Sequence, residues 1–234
     1  MSALRERRGT DVNIRSGPQW REYEAIVERI ARDRPRRVLD WGCGWGQVTA
    51  LLVGAGLDVS AFDYRPEAPS EGMRPLPRFP EIEAYISLDP IHLPFEDGSF
   101  DAVLSCGVLE HVEDPDASLE ELRRVLESGG TMYVYKLPNR YSYLEWIARL
   151  LGLYYHGEAS HDAVYTKRSA VSLLEQHGFV VREARRTNVL PLTLSGPAAT
   201  RFAGVIWRAN RALMHVPGFN SIATNIEVIA TAPP

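Results

Sequence analysis

The stretch Val38-Leu39-Asp40-Trp41-Gly42-Cys43-Gly44-Trp45-Gly46 decides how the rest of the chain is read. The apolar run Arg37–Trp41 has strand character, glycines at 42, 44 and 46 break it, and Gln47–Ala55 continues with helical character. Strand, glycine-rich turn and helix in that order open a βα unit. The small turn residues admit left-handed backbone and let a ligand approach the main chain. A dinucleotide-binding turn needs Gly-x-Gly-x-x-Gly, and counted from Gly42 the third glycine position holds Gln47. Asp40 also sets an anion where a pyrophosphate would be repelled. It suits a cationic ligand, such as an amino group near a sulfonium, although an aspartate before glycines also serves as an ordinary turn or cap residue.

Gln19–Asp33 carries Tyr23, Ile26, Val27 and Ile30 at helical spacing and predicts an amphipathic helix. Strands are predicted at Asp58–Phe62, Ile82–Ser87, Phe100–Ser105, Thr131–Tyr135, Phe179–Glu183 and Thr224–Ala230. Helices are predicted at Asp116–Leu126, Tyr141–Leu151, Lys167–His177 and Pro197–His215, with Gly129-Gly130 ending the first and Gly178 capping the third. Pro66, Pro69, Pro75, Pro77 and Pro80 crowd one stretch, and 66–80 is expected to be an irregular surface loop. The alternation of strands and helices points to an α/β parallel sheet.

The chain has 234 residues, 45% of them hydrophobic and 24% charged, enough for one large domain with a core that needs no staples. Disulfide miniproteins and disordered tails are excluded. No apolar run approaches a transmembrane length, and the charged N-terminus has no apolar stretch after it, so neither a membrane span nor a secretory signal is expected. Cys43 and Cys106 lack metal-type spacing and are expected to be reduced thiols in a cytoplasm. A net charge of −4 argues against a general nucleic-acid binder. The stretch 182–211 is nonetheless basic, with Arg182, Arg185, Arg186, Arg201, Arg208 and Arg211 against Glu183 alone.

Asp40-x-Gly42-Cys43-Gly44-x-Gly46 resembles the first motif of class I S-adenosylmethionine (SAM)-dependent methyltransferases. Further segments agree in order. Asp63 ends the second strand and Asp89 the third. Leu93-Pro94-Phe95-x-Asp97-x-x-Phe100-Asp101 precedes Val108-Leu109-Glu110-His111-Val112, and Leu122-x-x-Val125-Leu126-x-x-Gly129-Gly130 follows. This set is similar to the type 11, small-molecule branch that includes the ubiquinone-biosynthesis O-methyltransferases, and it covers residues 36–185. The resemblance implies a Rossmann-like sheet of seven mainly parallel strands, helices on both faces, and an antiparallel last strand. It implies SAM as cofactor and S-adenosylhomocysteine (SAH) as product. In that family the acid at Asp63 meets the ribose hydroxyls and the acid at Asp89 the adenine amino group. Tyr64 either packs on the adenine or covers the loop. Pro90 has no N–H for the adenine, which leaves Ile91 as the backbone donor. Cys106, Gly107 and Val108 would face the methionine part. One domain over 1–234 is expected, with a cap helix in 1–35, a cofactor core over 36–140, and substrate-side insertions at 141–165 and 188–220.

Methyl transfer needs chiefly proximity and orientation, so a general base is optional. The candidates are His111 and His161, the latter beside Asp162; alternatives are a capping role for His111 and a solvated loop for His161. Related O-methyltransferases show Glu-x-x-Glu-His at this point, a metal-associated pattern. Gly107 replaces its first glutamate here, so no metal is expected. Tyr141–Tyr155 is apolar and aromatic, the make-up of a core helix or of a wall for an apolar acceptor. In Pro197–His215, Phe202, Val205, Ile206, Ala209 and Leu213 share one face and Arg201, Arg208 and Arg211 another. That helix is expected to pack on the domain. The alternative is contact with anionic lipid, which would suit a lipid-linked acceptor. Methylation of a small molecule at a hydroxyl oxygen is the leading expectation. The alternatives are N- or C-methylation in the same fold, or a SAM-binding protein without catalysis.

Overall fold

A computed structural model describes residues 17–150, 163–193, 196–216 and 218–234. Helix α1 (Gly17–Asp33) leads to strand β1 (Val38–Trp41), helix α2 (Gln47–Gly54) and strand β2 (Val59–Tyr64). A hairpin of β3 (Gly72–Leu76) and β4 (Phe79–Ser87) precedes β5 (Phe100–Cys106) and a 3-10 turn, Leu109–His111. Helix α3 (Pro115–Val125) runs straight into β6 (Leu126–Pro138), followed by α4 (Tyr143–Leu150) and α5 (Lys167–Gln176). The chain closes with β7 (Val180–Thr187), α6 (Pro197–Arg201), α7 (Ala203–Leu213), a second 3-10 turn and β8 (Asn225–Thr231).

The strands form one sheet in the order β3-β4-β2-β1-β5-β6-β8-β7. The five from β4 to β6 are parallel, β3 is antiparallel to β4, and β8 is antiparallel to both β6 and β7. All four residues of β1 are buried, as befits the centre of a sheet covered on both faces. Successive side chains alternate between those faces. Leu39 and Val103 join Leu122, Met132 and Leu174 on one side, while Val38 and Leu104 join Trp20, Ile30 and Leu52 on the other. The Rossmann-like fold expected from the sequence is therefore present.

Three expectations need correction. The sheet has eight strands rather than seven. The extra one, β3, lies inside the proline-rich stretch expected to be an irregular loop over 66–80. It is an edge strand, where Pro75 forfeits no bond that a central strand would need, and its register shifts at Pro75/Leu76. Pro197–His215 is two helices that meet at Phe202 rather than one. Ala203 and Asn210 form the buried side of α7, Ile206, Ala209 and Leu213 of the expected packing face are half-buried, and Phe202 and Val205 of that face are more than half exposed. Asn210 anchors α7 by accepting from the Val189 and Leu190 N–H groups, each at 2.7 Å. No described helix is long and apolar enough to cross a membrane.

Candidate functional site

The strand order reverses at β1, whose neighbours are β2 and β5. Ligands of such sheets bind in the crevice beyond the strand C-termini at that reversal. A cavity of about 450 Å³ lies there. Its walls come from α1, the turn after β1, the ends of β5 and β6, the start of α4 and the 188–193 segment.

The glycine turn divides into packing and space. Gly42, Gly44 and Gly46 all have left-handed φ, at 76°, 55° and 83°. A Cβ on Gly42 would fall 2.4 Å from Val108 Cγ2, and one on Gly46 would fall 2.3 Å from Leu76 Cδ1. Gly44 has nothing within 4 Å of where its Cβ would stand. Two glycines let neighbours close in, and the third keeps a surface clear for a ligand. Asp40 is 2% exposed beneath the turn and accepts a 2.6 Å hydrogen bond from Thr49 Oγ1. Burial raises its pKa to about 6, against the opposing pull of the Thr49 bond.

Asp40, Gly42, Cys43, Gly44, Cys106, Gly107 and His111 line the cavity. Gly46 and Val108 stand behind it as packing partners. Both cysteines are free thiols. Asp63, Tyr64, Asp89, Pro90 and Ile91 are not in its wall; they lie further along the strand ends toward β4. Asp63 accepts from Arg65 Nε at 2.8 Å, and Arg65 Nη2 donates to the Gly44 carbonyl at 2.7 Å, so one guanidinium ties the end of β2 to the glycine turn. Burial raises the pKa of Asp63, opposed by Arg65. Asp89 is exposed and caps its own loop, accepting from Ile91 N–H at 2.8 Å and His92 N–H at 2.9 Å. The Ile91 N–H expected to serve the adenine is thus engaged by Asp89. His111 Nε2 is 3.8 Å from Glu110 Oε1, with its ring half exposed. His161 and Asp162 lie outside the described residues. In α4, Glu145 and Leu144 turn to the cavity while Trp146 and Leu150 point out, so of the two expectations for this stretch the described part of the helix follows that of a cavity wall and not that of a core helix.

Sequence reading missed a polar group on the opposite wall. Glu22 and Tyr23 of α1 face Lys136 at the end of β6. Glu22 accepts a hydrogen bond from the Asn188 side chain. Tyr23 OH accepts from Gln19 Nε2 at 2.8 Å and from Lys136 Nζ at 3.4 Å. Lys136 and Asn188 have φ of 65° and 64°, a left-handed geometry costing about 1–2 kcal/mol for a lysine. The register of β6 against β8 shifts between Val134 and Leu137, so Lys136 sits in the bulge. Two signals pointed there. Lys136 interrupts an apolar strand, and Glu22 falls on the apolar face of its helix.

Residues 39–134 match the family model described as a methyltransferase domain. A demethylmenaquinone methyltransferase of Renibacterium salmoninarum is 33% identical over 153 residues, covering 63% of this chain and 62% of that protein. A ubiquinone biosynthesis O-methyltransferase of Xanthomonas campestris is 34% identical over 128 residues, 49% of this chain and 52% of that protein. The chain spans about half to three fifths of the length of the curated relatives it matches. Among solved structures, a putative sarcosine dimethylglycine methyltransferase of Galdieria sulphuraria superposes with a TM-score of 0.59 at 18% identity, covering 92% of this chain and 86% of that one. The 1,6-didemethyltoxoflavin-N1-methyltransferase of Burkholderia thailandensis, solved with bound SAH, gives 0.57 at 16% identity and covers 96% and 82%.

Proposed function

We propose that the protein, whose residues 39–134 match the methyltransferase domain model, transfers a methyl group from SAM to a hydroxyl oxygen of a small molecule. The observation that carries this reading is the turn after β1. A buried carboxylate, Asp40, lies under a backbone held open at Gly44, at the mouth of a cavity of about 450 Å³. These residues fit SAM: the clear surface at Gly44 admits the amino-acid part, and Asp40 supplies charge for its ammonium.

When bound, SAM supplies a methyl on a positively charged sulfur, and the carbon–sulfur electron pair stays on sulfur when the methyl leaves. The chain's own part is to hold and orient. Arg65 fixes the glycine turn against Asp63, the residue that this reading assigns to the ribose hydroxyls. Gly107, with φ of 72° and only Glu110 Oε1 within 4 Å of its Cβ position, keeps the second wall thin. The acceptor would enter between α1, α4 and the 188–193 segment. Aligning two reactants in this way supplies about 7–11 kcal/mol, more than a general base adds. His111 remains a candidate for taking up a proton at the cavity edge. The names of the relatives favour quinone-related acceptors among small molecules.

Calorimetry with SAM, SAH and NAD tests the cofactor. Saturable binding of SAM and SAH with none of NAD is expected, and the reverse would overturn the reading. Transfer of labelled methyl from SAM to a panel of phenols, sugars, amines and lipid-linked acceptors then tests the acceptor class. Labelled product among the amines alone would replace oxygen with nitrogen.

A further inference from the structure

Lys136 has no part in the reading above, yet the fold takes trouble to place it. It is one of only two lysines in the chain. It is carried on a left-handed residue in a bulge, and it projects from the apolar second half of β6 into the cavity. An ammonium has three N–H donors and no acceptor. Among the described residues it makes one hydrogen bond, a long one of 3.4 Å to Tyr23 OH, with the Tyr23 ring centroid 5.0 Å from Nζ. Two of its donors are therefore left for whatever enters the cavity. The Tyr23 oxygen accepts from both Gln19 and Lys136, which ties the ammonium to α1 beside the cavity. Backbone strain kept at a cavity wall marks a position whose side chain matters.

We propose that Lys136, assisted by Tyr23, forms an oxyanion seat for the acceptor: the group methylated is an acidic hydroxyl, a phenol or enol, held there as its anion. This deepens the proposed methyl transfer and rests on it. The acceptor's proton leaves to solvent as the anion docks, so the oxygen is nucleophilic without a dedicated base. An opposite charge at close range lowers an acid's pKa by about 1–3 units.

Other charged and titratable groups face Lys136 from every side. They are Glu22 and Tyr23 on α1, Asp40 on β1, Cys106 on β5, Glu110 and His111 in the following turn, Glu145 on α4 and, behind Glu22, Glu227 on β8. Among these carboxylates Asp40 is held by Thr49 and Glu227 by Arg185 at 2.8 Å, while Glu22 accepts from Asn188 and also faces the Lys136 charge. Burial opposes the charge on Lys136, yet its pKa is raised, with the Glu22 carboxylate the acidic neighbour that favours the ammonium.

The test uses 4-nitrophenol and 4-nitrocatechol, whose anions absorb in the visible, titrated by absorbance on the SAH-loaded full chain. The bound chromophore should ionise about one pH unit or more below its free value. Lys136→Met should abolish that shift, Lys136→Arg should keep part of it, and Tyr23→Phe, conservative in shape, should reduce it. Ionisation at the free value or above it, a shift that survives Lys136→Met, or failure of both phenols to bind would overturn the proposal. Upward ionisation would point instead to an amine acceptor drawn by the carboxylates. Calorimetric SAH binding is measured on the same samples: its absence sinks the methyltransferase reading, whereas its presence without the shift sinks only the seat.

Discussion

Asp40 shows how one residue trades stability for a site. Its carboxyl ionises at about 6 in the folded protein and near 3.8 when unfolded, because burial disfavours the charge. Below about pH 4 both states hold the proton and the group is neutral to stability. Above about pH 6 the folded state has had to give up a proton it holds more tightly, and the penalty is complete, at most about 3 kcal/mol. Asp40→Asn keeps an acceptor for Thr49 Oγ1 and removes the penalty. It should be more stable than the wild type at pH 8 in urea denaturation, with the gap closing as pH falls from 6 to 4, while SAM affinity drops tenfold or more. A wild type as stable as the variant at pH 8 would show that Asp40 carries no such cost. The glycines make a paired case. Gly42→Ala drives a methyl into Val108 at left-handed φ and should cost on the order of 2–3 kcal/mol. Gly44→Ala meets nothing and should cost about 1 kcal/mol, yet weaken SAM binding more than it weakens the fold. Glycine spacing located both residues in the sequence. It could not say which one served packing, because that depends on Val108, which lies 66 positions later.

At the scale of elements, the segment Leu93-Pro94-Phe95-x-Asp97 has its reason in α3. Arg124 donates to the Phe95 carbonyl at 2.8 Å, to the Leu93 carbonyl at 2.9 Å, to Asp97 Oδ1 at 2.7 Å and to Glu121, and Glu121 in turn accepts from the Leu93 N–H. One guanidinium holds the loop that delivers the chain into β5. Arg124→Met should destabilise by on the order of 2–3 kcal/mol, because it leaves carbonyls without a donor. Thr166→Ala removes a capping box from α5 and should cost about 1 kcal/mol. If the two losses are equal in urea denaturation, the loop clamp has no special weight. The helices and parallel strands were legible because each carries its own period of apolar residues. The β3 strand was not, since an edge position excuses the prolines that local propensity reads as a loop. The break at Phe202 was equally hidden, because the residues that anchor α7 are Asn210 and its distant partners at 189 and 190.

Over the whole molecule, the part of the cavity proposed for the cofactor was readable in the sequence and the part proposed for the acceptor was not. The former is one turn and the strand ends beside it, written in a short stretch around Asp40. The latter is assembled from α1, β6, α4 and the 188–193 segment, which meet only after the sheet forms. Glu22, Lys136 and Asn188 are separated by more than 50 residues from one to the next, and no local pattern relates them. Such an assembly ties ligand binding to global stability, because a cavity walled by most of the sheet exists only in the folded state. A ligand at 100 times its Kd then adds about 2.7 kcal/mol. For a domain of this size each kcal/mol moves Tm by about 2–4 °C. Saturating SAH should therefore raise Tm by about 5–10 °C in a thermal melt, and the same concentration of NAD should leave it unmoved. Lys136→Met should show the same SAH-induced rise as the wild type, since the proposed reading seats the acceptor, not the cofactor, against Lys136. A rise lost in Lys136→Met would instead place the cofactor against β6 and join the two halves of the cavity into one.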